Sequence, residues 1–142
     1  MDRTELPTIS DFIAAHGMRM SYREADTNPN ADNDGNWAAN ANHYRCTLTC
    51  SGRRMVVTFS KGSGHRGAAP TLAEVLDCVA SDSAGVDNAR SFAEWCADYG
   101  YSTDSRKAEK TWRQCSRQRA SLRLLCGSQE VYEALIWRTG RE

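Results

Sequence analysis

Residues 43–60 have the sequence HYRCTLTCSGRRMVVTFS, and this stretch decides the fold. Apolar and polar residues alternate over 43–50 and again over 54–60, which is the period of a half-buried strand. Ser51, Gly52 and Arg53 separate the two runs and supply turn-forming residues. The pattern predicts a β-hairpin with an apolar face made by Tyr44, Cys46, Leu48, Cys50, Met55, Val57 and Phe59.

The segment before the hairpin predicts a short helix and a third strand. The helix is predicted over residues 8–16, with Thr8 as a plausible N-cap and Gly17 as the residue at which it ends. Residues 18–23 alternate, with Met18, Met20 and Tyr22 on the side expected to be buried and Arg19, Ser21 and Arg23 on the other. Three antiparallel strands with one apolar face need a cover.

Helices after residue 70 supply that cover. Thr71-x-x-Glu74 and Ser91-x-x-Glu94 are capping-box patterns, each followed by apolar residues at helical spacing. Ser105 or Asp104 caps a long helix that runs to about Leu125 and ends at Gly127, and Ser128 begins a last short helix. Strands first and helices afterwards predict the α+β class.

The predicted architecture is a three-stranded antiparallel sheet, a meander with a β-hairpin, covered on one face by a C-terminal set of helices. One domain is expected over residues 1–142. Residues 1–60 hold the short helix and the strands, with a polar loop at 24–42, and residues 71–138 form the helical part.

Composition excludes several classes of protein. Eighteen basic and 18 acidic residues give zero net charge, which disfavours a uniformly basic DNA binder and an acidic DNA mimic. Apolar runs are too short for a membrane span, and the first residues, MDRTELPT, lack the apolar core of a secretory signal. The six cysteines form no C-x-x-C pair, so we expect reduced core thiols and neither a metal nor a cofactor.

The neutral total conceals blocks of charge. Residues 24–34 hold four acids, and 43–66 hold five lysines and arginines and no acid. Seven acids against Arg90 alone follow in 72–104, and then seven bases against Glu109 alone in 105–125. On the long helix, Arg106, Lys110, Arg113 and Arg117 form one stripe opposite an apolar stripe. Either the acidic helices neutralise this basic stripe, or it is a docking surface.

Other charged residues have separate interpretations. Arg119 falls within the apolar stripe, so it should either extend its charged end to solvent or pair with an acid; we expect a structural ion pair, for which Asp77 and Asp82 are candidate partners. Gly62 to Gly67 match G-x-G-x-x-G, but no helix begins inside the motif, so a flexible loop is favoured over a nucleotide site. The candidate partner-binding residues are the four stripe cations together with Arg53, Arg54, Lys61, His65, Arg66, Asp26, Asp32, Asp34 and Trp37.

No motif for catalysis is recognisable. His16, His43 and His65 lie outside any Ser-His or Cys-His pattern, so we expect no enzymatic activity; a small hydrolase using His65 or His43 is the alternative. Trp37 either pins the polar loop to the core or anchors a partner.

Three segments carry a resemblance to a group of proteins: TLAEVLDCVASDSAGV at 71–86, SFAEWCADYGY at 91–101 and DSRKAEKTW at 104–112. Together with the hairpin they resemble small uncharacterised proteins of bacteriophages and prophages, over most of the chain after about residue 43. That group includes anti-CRISPR and other counter-defence inhibitors. The resemblance implies a non-enzymatic inhibitor in the host bacterial cytoplasm. Its partner would be a host protein or ribonucleoprotein complex, such as a CRISPR effector, and no membrane.

The inhibitor would block nucleic-acid or subunit binding by occlusion. The competing hypothesis is a nucleic-acid-binding accessory or regulatory phage protein that uses the basic stripe and the hairpin. Salt dependence separates the two, because a protein that tracks phosphates loses affinity steeply as salt rises.

Overall fold

The computed structural model describes residues 8–25, 42–61 and 69–139, with the side chains of Asn42 and Lys61 excepted. The described residues form five helices and three strands of the α+β class. In chain order they are α1 Ile9–His16, β1 Arg19–Ala25, β2 Asn42–Cys50, β3 Arg53–Lys61, α2 Leu72–Asn88, α3 Phe92–Tyr99, α4 Arg106–Cys126 and α5 Gln129–Trp137.

The strands form one antiparallel sheet in the order β1-β2-β3, as the alternation predicts. The hairpin turn is shorter than predicted, because Arg53 pairs with Cys50 as the first residue of β3. Ser51 and Gly52 alone make the turn, with φ of 50° and 82°. Positive φ at both central positions gives a turn whose twist matches that of the strands, and glycine adopts it without steric cost.

One face of the sheet is the floor of the core. Tyr44, Cys46 and Leu48 are buried from β2, and Met55 and Val57 from β3. The helices cover this face with buried side chains from α1, α2, α4 and α5, among them Phe12, Leu76, Leu122, Leu125 and Leu135. The predicted cover on one face is therefore confirmed.

Tyr22 does not follow the prediction of a buried residue. It lies on the same side of the sheet as Tyr44, but it is 47% exposed. Its ring meets the Tyr44 ring edge-on at 5.8 Å. The reason is its place on β1, an edge strand most of whose residues lie in solvent.

A smaller aromatic cluster joins α3 to the first turns of α4. Trp95, Cys96 and Ala108 are buried there, and Phe92, Tyr101 and Trp112 pack around them. The Trp95 and Tyr101 rings stack with centroids 5.5 Å apart.

Most predicted helix ends are confirmed. Thr71 and Glu74 form both halves of a capping box, and Ser105 caps α4. The second box is only half formed, because the Glu94 carboxylate accepts from the Arg90 amide and not from Ser91. Gly127 ends α4 in the left-handed conformation, with φ of 85°.

The two predicted loops lie mostly outside the described residues. β1 continues to Ala25 and β2 begins at Asn42, so each end of the predicted 24–42 loop belongs to a strand. Lys61 ends β3, immediately before the loop predicted at Gly62 to Gly67.

Candidate nucleic-acid interface

The basic stripe of α4 (Arg106, Lys110, Arg113 and Arg117) lies in solvent. All four residues are exposed, while the opposite side of α4 is buried through Ala108, Cys115 and Leu122. Like charges three and four residues apart on a helix repel by a few tenths of a kcal/mol per pair. Within the described residues the stripe makes one ion pair, from Arg113 to Glu109 of the same helix at 2.5 Å.

Two acids of α2, Asp82 and Asp87, lie on the side of α4 away from the stripe. Asp82 is close enough to Cys115, on the buried side of α4, to act with burial in raising the pKa of that thiol to about 12. Asp87 pairs with Arg119. The interpretation that the acidic helices neutralise the stripe therefore finds no ion pair to support it in the described part of the chain.

Arg119 forms the predicted ion pair, but with Asp87 and not with Asp77 or Asp82. The Tyr132 hydroxyl donates to the other oxygen of the same carboxylate at 2.5 Å. Burial and this hydrogen bond raise the pKa of Tyr132 above its usual range. Arg119 thus joins α2, α4 and α5 and is not part of the basic stripe.

The side of the sheet that faces away from the described helices is a second basic patch, here named the sheet face. It carries the exposed side chains of Arg19, Arg23, Arg45 and Arg54. None of the described residues on this side is acidic. Hydroxyl side chains lie between the arginines: Ser21, Thr47, Thr49, Thr58 and Ser60. Arginines and hydroxyl groups are the donors that proteins use towards phosphate oxygens.

The register places two of these arginines directly opposite each other. Arg23 of β1 faces Arg45 of β2, whereas Arg19 and Arg54 each face Thr49 from either side. Like charges directly opposite across a sheet destabilise it. The Arg23–Arg45 pair therefore concentrates positive charge on the sheet face at a cost in stability.

A groove connects the sheet face to the stripe. It has a volume of about 230 Å³ and lies between β3, including Val56 and Thr58 of the sheet face, and Arg117 of α4. Arg117 also lines a second depression of about 370 Å³ beside Arg106, Lys110 and Arg113. The two basic patches thus form one continuous surface.

The structure separates the sequence-predicted residues into four groups. Arg54 and the four stripe cations lie on this basic surface. Arg53 does not, because its Nε donates to the Leu125 carbonyl at 2.9 Å and caps the end of α4. Lys61 ends β3, and its side chain is not among those described. The predictions for His65, Arg66, Asp26, Asp32, Asp34 and Trp37 lie outside the described residues.

Sequence reasoning missed three members of the surface, Arg19, Arg23 and Arg45. The signal was present, since each occupies the polar phase of an alternating strand.

The structure also gives the surroundings of His43 and of the cysteines, the side chains that could act in catalysis or bind a metal. His43 is 7% exposed, and its Nδ1 lies 2.8 Å from Oγ of Ser60, its cross-strand partner. The six cysteines are free thiols, and Cys78 differs from the expected core placement in being exposed. No group of three or more metal-ligating side chains occurs among residues 8–25, 42–61 and 69–139.

Comparison with known proteins adds no assignment: no protein-family model, curated protein or solved structure matches the chain. Among the described helices, none is both long enough and apolar enough to cross a membrane.

Proposed function

We propose that this protein binds nucleic acid and tracks the phosphate backbone with its basic surface. One observation carries the proposal: two exposed sets of four cations, on the sheet face and on the stripe, meet through a groove, and Glu109 is the one acid among their described lining residues. Contacts to phosphate supply most of the affinity of non-specific binding and do not read the base sequence.

The dimensions of the surface fit several phosphates. The stripe from Arg106 to Arg117 spans roughly 16 Å at 1.5 Å per helical residue. Phosphates along one strand of duplex DNA are about 3.4 Å apart in axial rise, so the stripe alone matches roughly four or five of them. Hydroxyl groups on the sheet face add neutral donors beside the arginines.

The test is the salt dependence of binding to labelled DNA and RNA, single-stranded and duplex, followed by fluorescence anisotropy. We expect affinity to fall steeply between about 50 and 200 mM salt. Lys110→Gln and Arg54→Gln should each weaken binding to every base sequence alike and lower the slope of log K against log salt by about 0.7 for single strands and 0.9 for duplex. Arg90→Gln is the matched control, because Arg90 is exposed between α2 and α3, outside the basic surface.

Two results would overturn the proposal. One is the absence of binding to any of these nucleic acids at low salt. The other is an equal loss of affinity in Arg90→Gln and in the surface variants, which would show that total charge and not this surface matters.

We also propose, from the resemblance to phage proteins, that binding serves inhibition. The protein would be a non-enzymatic inhibitor in the host bacterial cytoplasm that occludes a nucleoprotein defence complex, with CRISPR interference as the leading target. The same basic surface supports this proposal, since it can compete for a guide or target strand or meet an acidic subunit face.

Inhibition has its own test. Expression in a host that carries an active CRISPR system should restore infection by a targeted phage, and Lys110→Gln combined with Arg45→Gln should abolish the rescue. Affinity capture from that host should recover a subunit of the defence complex. If wild-type protein gives neither rescue nor a recovered subunit, the inhibitor proposal fails, and nucleic-acid binding is judged separately by its salt dependence.

A further inference from the structure

The outer edge of β3 has a regular geometry that exposes backbone groups. Nine consecutive residue pairs join β2 to β3 without a bulge. Cys50 and Arg53 flank a two-residue turn, so they exchange hydrogen bonds, and the bonded pairs then alternate along the hairpin. Arg54, Val56 and Thr58 fall at the alternate positions, where the N–H and C=O groups point away from β2.

These outward groups are left open at the centre of the edge. In the described part of the chain, neither Val56 nor Thr58 makes a backbone hydrogen bond outside the sheet. Val56 is also 39% exposed. Unpaired edge groups of this kind are a template for another strand.

The groove beside this edge has the form of a strand-binding site. Met55 to Thr58 of β3 form one wall, and α4 forms the other with Gln114, Arg117, Gln118 and Ser121. An added strand would hydrogen-bond to β3 along one side, and alternate side chains would face α4. The wall on α4 is polar, so small or polar side chains fit it.

Gln118 adds an independent observation. Its Oε1 atom is buried and has no hydrogen-bond partner among the described residues. A buried acceptor without a partner costs about 1–3 kcal/mol, so such groups in native proteins call for an explanation. Gln118 also lines the groove, so a rotation of its amide towards the groove would let an N–H or hydroxyl donor of a bound strand satisfy this oxygen.

We propose that β3 binds an extended, acidic peptide segment of a partner protein by strand addition. Arg117 lines the groove and Arg54 lies next along the edge, while none of the described lining residues is acidic. Because Arg117 lies on the α4 side of the groove and Arg54 on the sheet face, carboxylates on the two faces of the peptide would meet these cations. A second copy of β3 is a poor occupant, because it would bring a further Arg54 and no acidic side chain to the groove.

Selection from a library of random ten-residue peptides tests the proposal. The bait is the full chain, and the counter-selection uses Val56→Pro. Proline removes the outward N–H of Val56 but no hydrogen bond to β2, so the sheet should persist. Val56→Thr keeps the N–H and is the matched control, and circular dichroism checks that both variants fold.

We expect enriched peptides rich in Asp or Glu that bind wild type and Val56→Thr alike, and Val56→Pro at least tenfold more weakly. The proposal is overturned if no peptide is enriched over the counter-selection. It is also overturned if the enriched peptides are basic, or if they bind folded Val56→Pro as well as wild type.

N-methylation of an enriched peptide keeps the test valid even if Val56→Pro does not fold. In a β-strand, successive N–H groups point to opposite sides, so methyl groups on one alternate set of amides should abolish binding and those on the other set should not. Equal tolerance of both sets would contradict strand addition. Gln118→Leu should weaken binding of the same peptide. It should not lower the thermal midpoint of the free protein, because it removes an unsatisfied buried acceptor.

Discussion

Replacing Arg45 with glutamine should make the protein more stable and, at the same time, a weaker ligand for nucleic acid. Arg45 lies directly opposite Arg23 on the sheet face. Glutamine removes the charge and keeps a long polar side chain on the exposed side of β2. Stability and binding therefore change in opposite directions, which a purely structural role for Arg45 would not produce.

The gain in stability follows from the spacing of the two charges. Unit charges held roughly 7 Å apart, somewhat more than the ~4.5–5.5 Å between the Cβ atoms of directly opposite residues, repel by about 0.6 kcal/mol in water. Screening at 0.1 M salt, where the Debye length is about 10 Å, lowers this to about 0.3 kcal/mol. That value lies within the ~0.2–1 kcal/mol measured for directly opposed pairs on a sheet. For a chain of this length it corresponds to a rise in thermal midpoint of about 1 °C.

The assay compares Arg45→Gln with Arg54→Gln by thermal unfolding and by nucleic-acid anisotropy. Arg54 faces Thr49, so its replacement should weaken binding but bring no gain in stability. In 1 M salt, with a Debye length of about 3 Å, the gain from Arg45→Gln should vanish. A lower midpoint for Arg45→Gln at low salt, or an unchanged affinity, would refute the interpretation of the sheet face.

Three further predictions concern stability. Arg53→Gln should lower the free energy of unfolding by about 1.5–3 kcal/mol, since it removes a charged donor from the end of α4, and should leave nucleic-acid affinity unchanged in anisotropy. The change in the free energy of unfolding caused by Gly85→Ala should be more favourable in a Tyr99→Ala background than in wild type, because in wild type the new Cβ collides with the Tyr99 hydroxyl. A double-mutant cycle by urea unfolding measures this coupling. Stability should fall as pH rises from 9 towards 11, because burial raises the pKa of the Cys46 thiol from 9.0 to about 11. The stabilisation from the buried neutral thiol is complete below pH 9, the pKa of the unfolded chain, and is lost as the pH rises through about 11, the pKa in the fold. A Cys46→Ala variant should lose less stability over this pH range.

Much of the secondary structure could be predicted because its signals are local. The alternation around Leu48 and the Thr71 capping box depend on neighbours a few residues away, and both were confirmed. Local signals also explain the errors. The alternation predicted burial for both Tyr44 and Tyr22, and the prediction is correct for Tyr44 alone. The pattern carries no information on which strand lies at the edge of the sheet.

The candidate surface depended on contacts between distant parts of the chain. Arg53 belongs to a basic segment in the sequence, but in the fold the end of α4 lies beside it and takes its guanidinium as a cap. Arg119 was expected to pair with an acid of α2, yet which acid depends on how α2 and α4 dock.

The sequence by itself determined the strands, most helix ends and the face of α4 that carries its cations, because side-chain period and end caps act within a few residues. Only the tertiary structure decided that Arg23 stands opposite Arg45 and that Arg117 lines the same groove as β3. Pairing of β1 with β2 and packing of α4 against β3 join residues far apart in the chain. Burial of apolar area drives this packing, and its free energy does not depend on which exposed charges come together.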